Sequence, residues 1–173
     1  MGFLAPDEAG KEAARRNLLE IVEENLALVR EIAALYNLPR MREKRRQIKS
    51  PADAAELLAP EMSILDQEQL RVVVLNTKHQ VMSIEVVYQG SLNTTMVRIA
   101  ELFKEAIRRN GASVILAHNH PTGSLEPSPE DLEVTRQAVK AGKLLEIEVL
   151  DHLIIGQGSE YRSLKETRGG IWR

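Results

Sequence analysis

Apolar and polar positions follow three different rhythms along this chain. Residues 11–37, "KEAARRNLLEIVEENLALVREIAALYN", carry apolar side chains at helical spacing and then run into Pro39. Ile21, Leu28 and Leu35 recur every seven residues, with Leu18 and Ile32 between them and Asn25 in the equivalent polar slot. The heptads are too few for a sustained coiled coil, so the pattern predicts a helix packed against its own domain or against a homodimer mate. Residues 39–49, "PRMREKRRQIK", form the one concentrated basic run. It reads as a solvated linker or, more sharply, as a local nucleic-acid contact. It lacks the interleaved aromatics that stack on bases.

From Ser50 the rhythm alters. "SPADAAELL" predicts a short helix, and "LRVVVLNTKHQVMSIEVVYQG" predicts two strands joined by a polar turn at "NTKHQ". Residues 94–111 read as an amphipathic helix ending at Gly111, and "ASVILAH" as a short buried strand. "SPEDLEVTRQAVKAGKLL" predicts another helix, and "EIEVLDHLIIG" and "EYRSL" predict strands around a Gly-Gln-Gly turn. The resulting order, β-β-α-β-α-β-β, predicts an α/β (α+β) fold in which helices flank a mixed sheet. The expected division is an N-terminal helical extension with its basic linker over residues 1–49, then one domain over residues 50–173.

Composition narrows the function. Apolar residues make up 43% of the 173 positions and aromatic ones only 3%, so the core must be aliphatic. A net charge of −2 gives no global field toward nucleic acid or anionic membrane. No apolar run approaches the roughly 20 residues of a membrane-spanning helix, and "MGFLAPDEAG" does not read as a signal peptide. The cytoplasm is the default compartment. The absence of cysteine removes disulfides, thiolate ligands and a zinc nucleobase deaminase, whose Pro-Cys-x-x-Cys ligands cannot exist here.

The chemistry concentrates in "AHNHPTGSLEPSPED", residues 117–131. Ser128-Pro-Glu-Asp131 has a structural reading, with serine capping a helix, proline in its first turn and acids at its positive end. Ser50-Pro-Ala-Asp53 repeats the pattern with no histidine beside it, so the tetrapeptide alone implies no chemistry. His118 and His120 change the balance. They close a buried strand, where positions i and i+2 project from one face and Asn119 points to the other. Two imidazoles on one face suit Zn²⁺, and "PTGSLEP" can return the chain so that Asp131 adds an oxygen ligand. Three protein ligands leave a fourth position for water, as in catalytic zinc sites.

His-x-His, seven residues, then Ser-x-x-Asp resembles the JAMM motif of the JAB/MPN metallopeptidases. "VILAHNHPTG", with "LNTKHQVMSIEVVYQGSLN" before it and "LDHLIIG" after it, is similar to the RadC branch over roughly residues 50–165. The resemblance implies a mostly antiparallel, curved JAB/MPN-like sheet and a zinc-dependent peptidase or isopeptidase acting on a peptide or protein substrate. It implies His118, His120 and Asp131 as ligands and a glutamate base on an earlier strand, matched to Glu85. Alternation supports that match: Met82, Ile84 and Val86 share one face, leaving Ser83, Glu85 and Val87 on the other. Ser128 would, by resemblance, donate to the developing oxyanion. Asp151 and His152 are expected to support the ligands or the fold, and His79 to be solvated.

Two other functions compete with the enzyme. One is a RadC-like, DNA-repair-associated or nucleic-acid-associated protein without turnover. The other is a scaffold in which the metal only staples the loop. The complete ligand set with a candidate base favours the enzyme.

Overall fold

The computed structural model describes Asn25, residues 46–90 and residues 97–173. The chain divides into two units, residues 1–44 and 45–173. The helix expected over 11–37 (Asn25 apart), the basic run before Arg46 and the start of the helix expected from Thr94 lie outside the described residues.

Within the second unit the order is α1 Pro51–Met62, β1 Gln69–Leu75, β2 Val81–Gln89, α2 Ile99–Arg108, β3 Ser113–Asn119, α3 Pro129–Leu145, β4 Glu148–Ile155, β5 Tyr161–Ser163 and α4 Leu164–Arg168. A 3₁₀ turn, Gly169–Trp172, follows. The strands form one sheet in the order β2-β1-β3-β4-β5. β1 pairs antiparallel with β2 and β3, β3 pairs parallel with β4, and β4 pairs antiparallel with β5. The parallel pair requires a crossover, and α3 provides it. The α/β class and the mixed sheet agree with the sequence pattern. Among the described residues no helix is long and apolar enough to cross a membrane.

β1 and β3 are buried along their whole length because helices cover both faces of the sheet. One face buries Leu70, Val72, Val74, Val114 and Leu116 against Leu102, Phe103 and Ala106 of α2 and Val134, Ala138 and Val139 of α3. The other buries Val73, Leu75, Ile115 and Ala117 against Ala54, Ala55, Leu58, Ala59 and Met62 of α1. Each fully buried Val or Leu contributes about 1.5–3 kcal/mol relative to exposure. Phe103 is the only aromatic among the largest fully buried side chains, as the 3% aromatic content requires.

β2 departs from simple alternation. Its pairing with β1 slips twice: Leu70 faces Tyr88 but Arg71 faces Val86, and Val74 faces Ser83 but Leu75 faces Val81. Val87 and Met82 are the extra residues, and such bulges re-aim side chains. Met82, Val87 and Tyr88 therefore pack on the α2–α3 side of the core, while Ile84 and Val86 are 37% and 53% exposed. The single apolar face expected from Met82, Ile84 and Val86 does not form. We expect Val87→Ala to cost about 1 kcal/mol, for two methyl groups leaving a half-buried position. Val86→Ala should stay within about 0.5 kcal/mol of wild type. Chemical denaturation of both variants reads the difference, and equal losses would contradict the bulged register.

Candidate metal centre

β3 ends in His118, Asn119 and the adjoining His120, at the carboxyl end of the parallel pair. His118 is fully buried and faces the α2–α3 side, since its partner Leu70 belongs to that core. Beyond it the chain turns tightly, with Gly123 N donating to His120 O at 2.8 Å. Gly123 has φ +77°, and a Cβ there would lie 3.0 Å from the Gln157 side chain, which explains glycine in this turn. The turn brings Ser124 O to 2.7 Å from His120 Nδ1. A carbonyl only accepts, so His120 carries its proton on Nδ1, and in the neutral ring Nε2 is bare.

The chain then enters α3 through a capping box. Asp131 N donates to Ser128 Oγ at 3.1 Å, and Ser128 N donates to Asp131 Oδ2 at 2.7 Å. This box fixes the Asp131 side chain. Its Oδ1 lies 3.3 Å from His118 Nε2 and its Oδ2 3.5 Å from His120 Nε2, and the two Nε2 atoms are 3.0 Å apart. Oδ1 is nonetheless buried without a hydrogen-bond partner. Burial pushes the Asp131 carboxyl up, but His118 and His120 together outweigh it and hold the group well below the ordinary carboxylate range. Asp131 in turn raises His120, against the opposing effect of that ring's own burial. The pocket attracts positive charge.

The fourth member is Glu68, immediately before β1. β1 runs antiparallel to β3 with Leu70 opposite His118 and Gln69 next to it, so continuing the register sets Glu68 beside His120. Asn119, buried on the opposite face, holds that stretch from both sides. Gln69 N donates to its Oδ1 at 2.8 Å and its Nδ2 donates to Gln67 O at 3.1 Å. Gly90 N adds a third tie, to Glu68 O, at 2.8 Å. Glu68, His118, His120 and Asp131 each offer a ligand atom, all within 4.8 Å of one another, and could hold a metal ion.

Three of the five residues singled out from the sequence thus meet: His118, His120 and Asp131. Ser128 stands beside them as the cap of α3. Glu85 is not in the group. It pairs with Val72 on the bulged strand and lies within electrostatic reach of Arg108, whose guanidinium Glu105 holds above its ordinary range, with a smaller contribution from Glu85. The carboxylate at the centre is Glu68, which sequence reasoning missed. The available signal was an acid placed immediately before a largely apolar strand, at the end where a neighbour running the other way would deliver its histidines.

Behind the centre, His118 Nδ1 is 2.8 Å from His152 Nε2, and His152 Nδ1 is 2.7 Å from Thr135 Oγ1. Asp151, buried on the opposite face, accepts from His152 N, Lys165 N and Ser163 Oγ. It anchors α4 to β4. His79 is exposed in the β1–β2 turn with φ +53°, away from this group. Trp172 Nε1 donates to Val149 O at 2.7 Å, a packing role.

Purified protein should bind about one divalent ion per chain by elemental analysis, and Asp131→Ala should lose it. An ion held at a hundred times its Kd should raise stability by about 2.7 kcal/mol. A thermal melt unmoved by excess metal would contradict the centre.

A family model described as RadC-like JAB domain matches residues 48–170. A UPF0758 protein of Chloroflexus aggregans is 62% identical over 124 residues, 72% of this chain and 54% of that protein. One from Roseiflexus castenholzii is 60% identical over 124 residues, 72% of this chain and 53% of that protein. A UPF0758 protein of Bacillus mycoides is 42% identical over 161 residues, 90% of this chain and 71% of that protein. The chain spans about half the length of the first two. With the matching model covering most of its residues, the chain belongs to the family of RadC-like JAB domains.

Proposed function

We propose that this chain is a zinc-dependent metallopeptidase or isopeptidase, with Glu68 in the place that the sequence pattern assigned to Glu85. One observation carries the reading: the buried Asp131 carboxylate sets Oδ1, which has no hydrogen bond, 3.3 Å from His118 Nε2 and Oδ2 3.5 Å from His120 Nε2, and these two nitrogens are 3.0 Å apart. Two lone pairs facing each other across that gap leave no donor between them, and one cation beside the carboxylate would satisfy both.

Zinc fits the donor set. Nitrogen and oxygen ligands at about 2.0–2.1 Å in a tetrahedron stand about 3.3 Å apart. The two nitrogens here are 3.0 Å apart, and each has an Asp131 oxygen near that distance, Oδ1 at 3.3 Å from His118 and Oδ2 at 3.5 Å from His120. His118, His120 and Asp131 would hold the ion. When bound, it supplies Lewis acidity, bringing the pKa of a water toward about 7 and polarising a substrate carbonyl.

Glu68 is half-buried, whereas His118 and Asp131 are buried. Its carboxylate sits at the solvent side of the group, where a base can meet water and substrate together. It would take the proton of the attacking water and deliver it to the nitrogen of the leaving amine. The three ties from Asn119 and Gly90 fix the backbone that carries it, which favours a constant distance to the reacting atoms. Ser128 spends a lone pair of Oγ on its helix cap and keeps its O–H to donate. That hydroxyl is the candidate partner of the oxyanion formed when water attacks the amide carbonyl.

The test is hydrolysis of peptide and isopeptide-linked substrates, read by mass spectrometry, with zinc content measured on every variant. Glu68→Gln should lose about 10²- to 10⁴-fold in rate while retaining its zinc, and Glu85→Gln should remain active. Full activity in zinc-loaded Glu68→Gln would refute this assignment of the base.

A further inference from the structure

We infer that Thr135 and His152 are positioning residues that fix the tautomer of His118, through a one-way chain of hydrogen bonds that begins and ends on Asp131. The inference rests on the metal reading above for its purpose, but the proton assignment stands on geometry alone.

The chain is solved from the end whose direction is fixed. Thr135 Oγ1 lies 2.5 Å from Asp131 O, one helical turn earlier. A carbonyl oxygen can only accept, so the single hydroxyl proton of Thr135 is committed to that bond. The contact between Thr135 Oγ1 and His152 Nδ1, at 2.7 Å, must then be donated by the ring. His152 therefore carries its proton on Nδ1. The ring is wholly buried, and its hydrogen-bond partners are a hydroxyl and an imidazole rather than a carboxylate, so it carries one proton and not two. Its Nε2 is bare and accepts from His118 Nδ1 at 2.8 Å. His118 is then protonated on Nδ1, which leaves Nε2 as a lone pair directed at Asp131 and His120.

The loop closes on the residue that started it. Asp131 accepts through its backbone carbonyl at one end and presents its carboxylate Oδ1 3.3 Å from His118 Nε2 at the other. Thr135, His118 and Asp131 are all buried to 1% exposure or less, so water has little room to compete for these partners. The reverse order of protons would set an N–H of His118 against the ion and remove it as a ligand. Both ends of the chain face an acceptor, and the Thr135 hydroxyl decides between the two orders because its bond to Asp131 O, at 2.5 Å, is much shorter than the 3.3 Å from His118 Nε2 to Asp131 Oδ1. Valine has the same shape without the hydroxyl, and serine keeps the hydroxyl without the methyl. The pair separates packing from proton direction.

The experiment uses the full chain, with long-range ¹H–¹⁵N correlation of the imidazole rings in metal-free protein and chelator-competition titration with Zn²⁺ alone. Wild type should show His118 and His152 both protonated on Nδ1. Thr135→Val should lose that uniform pattern and bind Zn²⁺ about 10- to 100-fold more weakly, the range for partners that orient metal ligands. Thr135→Ser should restore both. A wild-type spectrum with His118 protonated on Nε2 overturns the inference without any variant, so a valine protein that failed to fold would not shield it. Equal Zn²⁺ affinity and an unchanged tautomer in folded Thr135→Val also overturn it, and leave the metal reading standing. Wild type that binds no Zn²⁺ but has the assigned tautomers would reverse the outcome, removing the metal reading and keeping the proton chain.

Discussion

A buried carboxylate oxygen that no hydrogen bond reaches is the constraint on which this site is built. Removing an ionised carboxylate from water is costly unless positive charge or donors replace the lost hydration. Asp131 divides that requirement between its two oxygens. Oδ2 accepts the Ser128 amide at the start of α3, where the helix end favours negative charge. Oδ1 lies 3.3 Å from His118 Nε2 and receives no hydrogen bond. The same capping box occurs at Ser50 and Asp53, where both Lys49 N and Ser50 N donate to Asp53 Oδ2 and no histidine faces the spare oxygen. One local motif makes a helix start in both places, and only its surroundings make one of them a candidate metal centre.

Those surroundings come from topology. The carboxyl end of β3 is shared on one side with the amino end of β1, because the two strands run in opposite directions, and on the other with β4, which runs the same way. β1 therefore contributes a residue that precedes it, Glu68. β4 contributes one from its interior, His152, which sits opposite Leu116. Neither neighbour is close in sequence to the histidines they serve. Asn119 links the two sides of the sheet. The register that directs His118 and His120 to the α2–α3 side directs Asn119 to the other, where its amide holds the backbone on both sides of Glu68. The middle residue of His-x-His is thus part of the centre through the chain it fixes.

How far the sequence was legible follows the same division. The grouping of His118, His120 and Asp131 was readable because strand periodicity, a turn and a helix cap are local, and all three lie within fourteen residues. The element order was readable because apolar runs and capping signals are local too. Glu68 was not, since its role depends on which strand pairs with β3 and in which direction. Glu85 was favoured on an alternation that two bulges in β2 interrupt, and bulges leave little trace in a pattern of apolar and polar residues. His152 was recognised as a supporting residue. Its partner Thr135 was not, because a threonine within a helix usually signals nothing more than a hydroxyl returned to the carbonyl one turn back.

That return bond is the point at which stability and function meet. His118, His152, Thr135 and Asp131 place four polar side chains where aliphatic ones would pack at no electrostatic cost. A half-satisfied polar network is worse for a fold than an apolar core, and a fully connected one is tolerated and makes the arrangement unique. Here every member is connected except where Asp131 Oδ1 meets the bare Nε2 atoms of the two histidines. The deficit is therefore concentrated at a single place instead of being spread over the core. An ion entering there meets ligands already oriented by bonds that do not involve it, so little ordering remains for binding to supply. The cost of burying those polar groups is met largely by the fold itself, and the remaining deficit at Oδ1 is what a bound cation would relieve.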